Sequence, residues 1–193
     1  MIINEVTRLD ILQRSKTRTK LNRYTRRMGV QNISIQRIGI LELLYLDQSD
    51  LDVYFDINDN YRVSIRFMNF MDEIRSLYSQ FSDRVQKEGG VNVSKTMREI
   101  VEVSLDNALT YNDIRVGCSC PDFKYRFAYV AYLNDYNFST PPQTVPALVR
   151  NPNNNGSACK HVIKVLSRPS LWKAKVVTGV MNVIKRDPNI LTL

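Results

Sequence analysis

Cys118-Ser119-Cys120-Pro121-Asp122-Phe123 and Ala158-Cys159-Lys160-His161-Val162 are the two strings around which this chain is organised. All three cysteines and the single histidine of the 193 residues fall inside them. Each pair is spaced C-x-C or C-x-H, so two side chains at i and i+2 can turn to one side of a tight knuckle. Three thiolates and an imidazole form the soft S/N donor set that tetrahedral zinc prefers, and saturation by four protein ligands marks a structural site. The expectation is a structural Zn2+ held by Cys118, Cys120, Cys159 and His161.

Other readings exist for the same residues. Cysteine is often a small buried hydrophobe, and a lone histidine is more often a surface or core residue than a ligand. A disulfide would leave one of three cysteines over, and Met1–Glu5 lacks the long apolar run of a secretory signal. Redox or catalytic thiol chemistry is a third possibility. The grouping of every Cys and His into short paired spacings favours a metal over all of these.

The order C-x-C…C-x-H resembles the SWIM-type zinc finger, whose four ligand positions fall on Cys118, Cys120, Cys159 and His161. The 38 residues between Cys120 and Cys159 exceed the spacing usual in such fingers. The fuller string, Cys118 to Phe127, then Asn151-Pro152, then Gly156 to His161, is similar to proteins of tailed bacteriophages, some of them virion components. The resemblance covers about residues 111–170. It implies a structural zinc ion and a place in a virion assembled in the host cytoplasm, as a connector, neck or tail-junction protein bound to other virion proteins.

Composition sets the outer bounds. Apolar content of 44% and charged content of 24% are ordinary for a globular protein. No run approaches the roughly 18 apolar residues that span a bilayer, so no membrane partner is expected. The net charge of +8 and pI near 9.5 favour phosphate or acidic partners, or simply solubility. No internal repeat and no signature for ATP, GTP or a dinucleotide is visible. Four protein ligands leave a zinc ion no open position and consume the single histidine, so no enzyme is expected. The alternative function is an intracellular zinc-dependent nucleic-acid-binding protein.

Upstream of the knuckles, apolar residues at 2/3, 6, 9 and 12 suggest a short helix within Met1–Gln13. Arg14, Lys16, Arg18, Lys20, Arg23, Arg26 and Arg27 follow with no acid among them. This segment reads as an extended basic arm for DNA phosphates or an acidic partner, or as a solvated tail. From Gln31 to Phe67 the period becomes two, with Asp52–Ile57 and Tyr61–Phe67 forming a β-hairpin around a turn-rich Asp56–Tyr61.

Asn69 is the expected cap of a helix carrying Phe70, Ile74, Leu77, Tyr78, Phe81 and Val85, which Gly89-Gly90 would end. Ser94 is the expected cap of a second, with Met97, Ile100, Val101, Leu105 and Ala108. A strand over Asp113–Gly117 would deliver the first knuckle. Asp122 would cap a helix reaching Asn134, whose Phe123, Phe127 and Val130 pack as core or whose aromatic and basic residues stack bases.

Asn137–Ser157, with four prolines and an asparagine run, reads as a long irregular excursion. Beyond the helix Lys160–Leu166, a terminal helix places Trp172, Val176, Val180 and Ile184 on one face, docked on the core or detachable to a neighbour. The expected fold is α+β: a small antiparallel sheet with helices, plus a C-terminal zinc-stapled helical module. Its expected segments are 1–30 with the basic arm, 31–110 as an α+β region, and 111–193 as the zinc module.

Overall fold

Alternation of apolar and polar residues builds the sheet. The computed structural model describes residues 6–16, 29–40, 49–58, 60–88, 93–138, 143–154 and 156–191. Its strands are β1 (Ile35–Ile40), β2 (Leu51–Ile57), β3 (Tyr61–Phe67) and β4 (Ile114–Cys118), in the order β1-β2-β3-β4 with every neighbouring pair antiparallel. Leu51, Val53, Phe55 and Ile57 of β2 and Val63, Ile65 and Phe67 of β3 all point into the core. A one-residue slip would turn that set out to water, so burial specifies the register.

The opposite face repeats the same register in charge. Asp52 lies across from Arg66 and Asp56 across from Arg62. Arg66 grips Asp52 through two bonds of 2.6 and 2.7 Å, and Arg62 grips Asp56 through bonds of 2.7 and 3.3 Å. Surface pairs of this kind contribute little energy each, but a slipped strand would lose both. Asn60, with φ 58°, takes the left-handed step of the hairpin turn. Gly39 lies under the Tyr54 ring, where a Cβ would collide with aromatic carbons.

Two helices interrupt the meander between β3 and β4. These are α2 (Phe70–Glu88) and α3 (Val93–Thr110). Of the predicted stripes, Phe70 and Ile74 of α2 and Met97, Ile100, Val101, Leu105 and Ala108 of α3 are buried and Leu77, Tyr78 and Phe81 partly so, with Met71 and Leu109 buried beside them. Asn69 precedes α2 with φ 55° and its carbonyl accepts the Glu73 N–H. The second helix begins one residue before the expected cap, so Ser94 lies within it. Gly89-Gly90 falls outside the described residues.

The first helix, α1 (Arg8–Lys16), starts and ends later than its sequence pattern suggests. Thr7 and Asp10 cap it reciprocally: the Thr7 N–H donates to Asp10 Oδ2 at 2.9 Å and the Asp10 N–H to Thr7 Oγ1 at 3.3 Å. Ile11 and Leu12 bury its inner side and carry the helix through the start of the basic stretch. Arg14 and Lys16 are therefore helical, not part of an extended arm. Arg18, Lys20, Arg23, Arg26 and Arg27 lie outside the described residues.

The C-terminal part adds α4 (Ala128–Leu133), α5 (Lys160–Ser167) and α6 (Lys173–Arg186). Trp172 is nearly inaccessible at 1% exposure, donates its indole N–H to the Val165 carbonyl at 2.9 Å, and meets Phe55 edge-on at 5.1 Å. Val176, Val180 and Ile184 follow it into the core, so the last helix is docked rather than detached. Residues from Val6 to Ile190 contribute to one hydrophobic core, and the fold is α+β. No described helix is long and apolar enough to cross a membrane.

Candidate metal centre

The first donor pair is delivered by the end of the sheet. Cys118 closes β4 opposite Val63. Pairing continues past it, because the Ser119 N–H donates to the Arg62 carbonyl at 3.0 Å and the Arg62 N–H to Ser119 Oγ at 2.9 Å. Pro121 then fixes φ at the start of a helical turn, where its missing N–H costs no bond. Cys120 stands just before that turn. Its sulfur accepts the Phe123 N–H at 3.3 Å and its carbonyl the Lys124 N–H at 3.1 Å. The thiol is thereby aimed inward and buried.

The turn itself departs from expectation. Asp122 has helical angles and makes no capping bond; its carboxylate pairs instead with Arg126 at 3.2 Å. Phe123–Phe127 form a π-helical turn, and α4 follows. Phe123, Phe127 and Val130 are buried as core, while Lys124, Tyr125 and Arg126 face water. After α4 the chain returns along β4, with Asn137 bridging Val116 in parallel and the Val116 N–H donating to the Tyr136 carbonyl at 2.8 Å.

The second pair rides on the start of α5. Cys159 occupies the position before the helix with φ −72° and ψ 165°, and its carbonyl accepts the Ile163 N–H at 3.1 Å. His161 is the second helical residue and is buried. The approach to this pair is held by two bonds. Tyr136 donates its hydroxyl to the Ser157 carbonyl at 2.8 Å, and Ser157 Oγ donates to the Ile11 carbonyl at 2.7 Å.

Sheet, turn and helix thus bring the four residues together. His161 Nδ1 lies 3.8 Å from Cys118 Sγ and 4.0 Å from Cys159 Sγ, and all four donor atoms lie within 4.8 Å of one another. Bond lengths of about 2.3 Å to sulfur and about 2.0 Å to nitrogen give tetrahedral edges of about 3.6–3.8 Å. The cluster is near that size. Cys120, Cys159 and His161 are buried and Cys118 is half-buried. The donor set fits a metal ion.

Protons occupy the cluster when no metal does. Hydrogen bonding to Cys120 pushes the Cys118 thiol up to about 12. Burial pushes Cys159 well above the usual thiol range. Cys120, the recipient of hydrogen bonds from Cys118 and then Cys159, is held far below that range. A cation in the cluster would compete with the protons that Cys118 and Cys159 favour.

Two contributors carried no signal in the motif. The Tyr61 ring lies against the His161 ring at 5.3 Å between centroids, which limits its rotation. Asn151, also buried, donates its side-chain amide to the Arg126 carbonyl at 3.0 Å and so fastens the irregular excursion to the π turn. Tyr61 alternates with core residues in a strand and Asn151 sits in an asparagine run, so neither spacing singles them out. Among the predicted arm residues, Arg14 is far from this centre in sequence but not unattached, since its Nη1 donates to Asn134 Oδ1 at 2.6 Å. No family model matches the chain, and no curated protein or solved structure matches it.

Proposed function

We propose that the cluster holds one structural zinc ion and that the chain is a zinc-stabilised assembly protein of a tailed-bacteriophage virion, of connector, neck or tail-junction type. The observation that carries the zinc reading is the Cys3His set itself, four donors within 4.8 Å drawn from two knuckles. Thiolate-rich sets select zinc over magnesium or calcium, which take oxygen donors. With four protein donors the ion would have no position for a substrate, so its role is to tie β4, the π turn and α5 together rather than to catalyse. Metal would offset the entropy of closing a loop of this length.

The virion reading is supported by the resemblance of residues 118–127, 151–152 and 156–161 to tailed-phage proteins. The interaction role draws support from apolar side chains turned to water on the loop that the knuckles enclose, with Val149 at 92% exposure. Metal analysis of protein purified without chelator tests the first half, with one zinc per chain expected. Mass spectrometry of purified particles of the encoding phage tests the second, with this chain expected among their components. Its absence from complete particles, despite abundant expression, would favour the nucleic-acid-binding alternative to which the +8 charge points.

A further inference from the structure

We infer that the face made by the π turn and residues 145–150 is a docking surface for an acidic, apolar segment of a partner protein. The inference names a partner chemistry for the interaction role proposed above and rests on that role, not on where the protein sits in a particle.

A π turn packs more residues into each turn than an α-helix and is frequent at functional sites. Here it places Lys124, Tyr125 and Arg126 in succession on the outside, while Phe123 and Phe127 anchor it to the core. The loop opposite is held by the Asn151–Arg126 bond and by the Asn151 N–H donating to the Ala147 carbonyl at 2.8 Å. Between the two runs an open groove of about 330 Å³, lined by Tyr125, Pro146, Ala147, Leu148, Val149 and Arg150. Leu148 is 72% exposed and Tyr125 54%. Contiguous exposed apolar side chains of this kind mark interaction sites.

Charge decides what fits. None of the residues lining the groove is acidic, and Arg150 belongs to its wall. Lys124 Nζ stands 5.5 Å from the centre of the Tyr125 ring, and the nearby Asp122 is engaged by Arg126. An incoming segment would therefore set carboxylates against Arg150 and Lys124 and an apolar side chain between Tyr125 and Leu148. Single-stranded nucleic acid shares the need for cations and a tyrosine. It gains little from Pro146, Ala147, Leu148 and Val149, which offer a base edge no side-chain hydrogen bond. The aliphatic wall favours a protein segment. Pro146 and the Asn151 bond fix the surface beforehand, which lowers the entropy cost of docking.

The test is selection of a phage-displayed random-peptide library on the immobilised full chain, followed by anisotropy titrations with the recovered peptides. Selected peptides should carry carboxylates flanking apolar anchors. Their affinity should fall roughly tenfold or more for Leu148→Asp with Val149→Asp, and likewise for Arg150→Glu. All three positions are exposed, so these variants should keep the metal content of the parent, which is measured alongside. The proposal is overturned if no peptide is enriched, if the peptides are basic or uncharged, or if the variants leave binding unchanged. It is also overturned if a fluorescent oligothymidine binds this face and loses that binding in Arg150→Glu. A chain absent from particles but selecting acidic, apolar peptides through Leu148 and Arg150 would refute the virion reading and leave this surface standing.

Discussion

Asn151 donates its side-chain amide to the main-chain carbonyl of Arg126, 3.0 Å away and 25 positions earlier in the chain. One buried side chain thereby connects an irregular excursion to the helical turn beside the candidate metal centre. Asn151→Ala should leave that carbonyl without this donor and cost about 1–3 kcal/mol. Urea unfolding would measure the loss. Limited proteolysis should show faster cutting within 143–154 than in the parent, and an unchanged rate would count against the role given to this bond.

The four candidate ligands should behave as a unit. Cys159→Ser or His161→Ala should abolish stoichiometric metal and leave the C-terminal part poorly packed. Structural zinc in small finger peptides binds with about 10–16 kcal/mol, as much as many whole domains gain on folding. Cobalt substitution gives the spectroscopic check, through thiolate-to-cobalt absorption that the variants should lack. A chain with native stability and no bound metal would sink this expectation.

Metal affinity should rise with pH. The Cys118 thiol, pushed up to about 12, and Cys159, pushed higher than usual by burial, both hold protons around neutral pH, whereas Cys120 does not. Binding must then expel about two protons, and the affinity should weaken about a hundredfold for each pH unit of acidification. Calorimetry in two buffers of different ionisation enthalpy counts the protons. Release of none would show that all three sulfurs are already thiolates.

Trp172 offers a test of the core independent of the metal. Trp172→Ala removes a fully buried ring packed on Phe55 and should cost about 3–5 kcal/mol. Trp172→Phe keeps most of the packing and removes only one of two donors to the Val165 carbonyl, which also accepts the Arg168 N–H at 3.4 Å, at a smaller cost of about 0.5–1.5 kcal/mol. Denaturation followed by circular dichroism should rank the two in that order. Equal losses in the two variants would mean that the hydrogen bond, not the ring, fixes this position.

Legibility in the sequence followed the strength of local periodicity. The hairpin was readable because Val53, Phe55, Val63 and Ile65 alternate with charged or polar partners that also match across the strands. The stripes of the two long helices and the face of Trp172, Val176, Val180 and Ile184 were readable for the same reason at period 3.6. The four residues of the Cys/His cluster stood out by rarity and spacing. The π turn did not, because Phe123 and Phe127 four apart fit an α-helix equally well, and nothing local marks the extra residue. The extent of α1 was hidden by its charge. Arg14 and Lys16 resemble an arm until the Thr7–Asp10 cap and the buried Ile11 and Leu12 are seen to set the helix. Asn137 beside Val116, and Asn151 beside Arg126, depend on distant backbone that no short window contains.

The ties that reach back to α1 bear on how the chain matures. Arg8 donates from Nε to the Leu109 carbonyl at 2.8 Å and from Nη1 to the Leu166 carbonyl at 3.1 Å, and Ser157 Oγ holds the Ile11 carbonyl. A ribosome delivers residue 8 long before residue 157, so α1 waits through most of translation for Ser157 and Leu166. Throughout that interval Ile11 and Leu12 lack their final cover, and the knuckle at Cys118 has no opposite half. Both wants are met by the same late stretch, residues 157–166. The stretch that supplies Cys159 and His161 thus also supplies these ties, and a product terminated before it leaves Ile11 and Leu12 without that cover, open to chaperones and proteases.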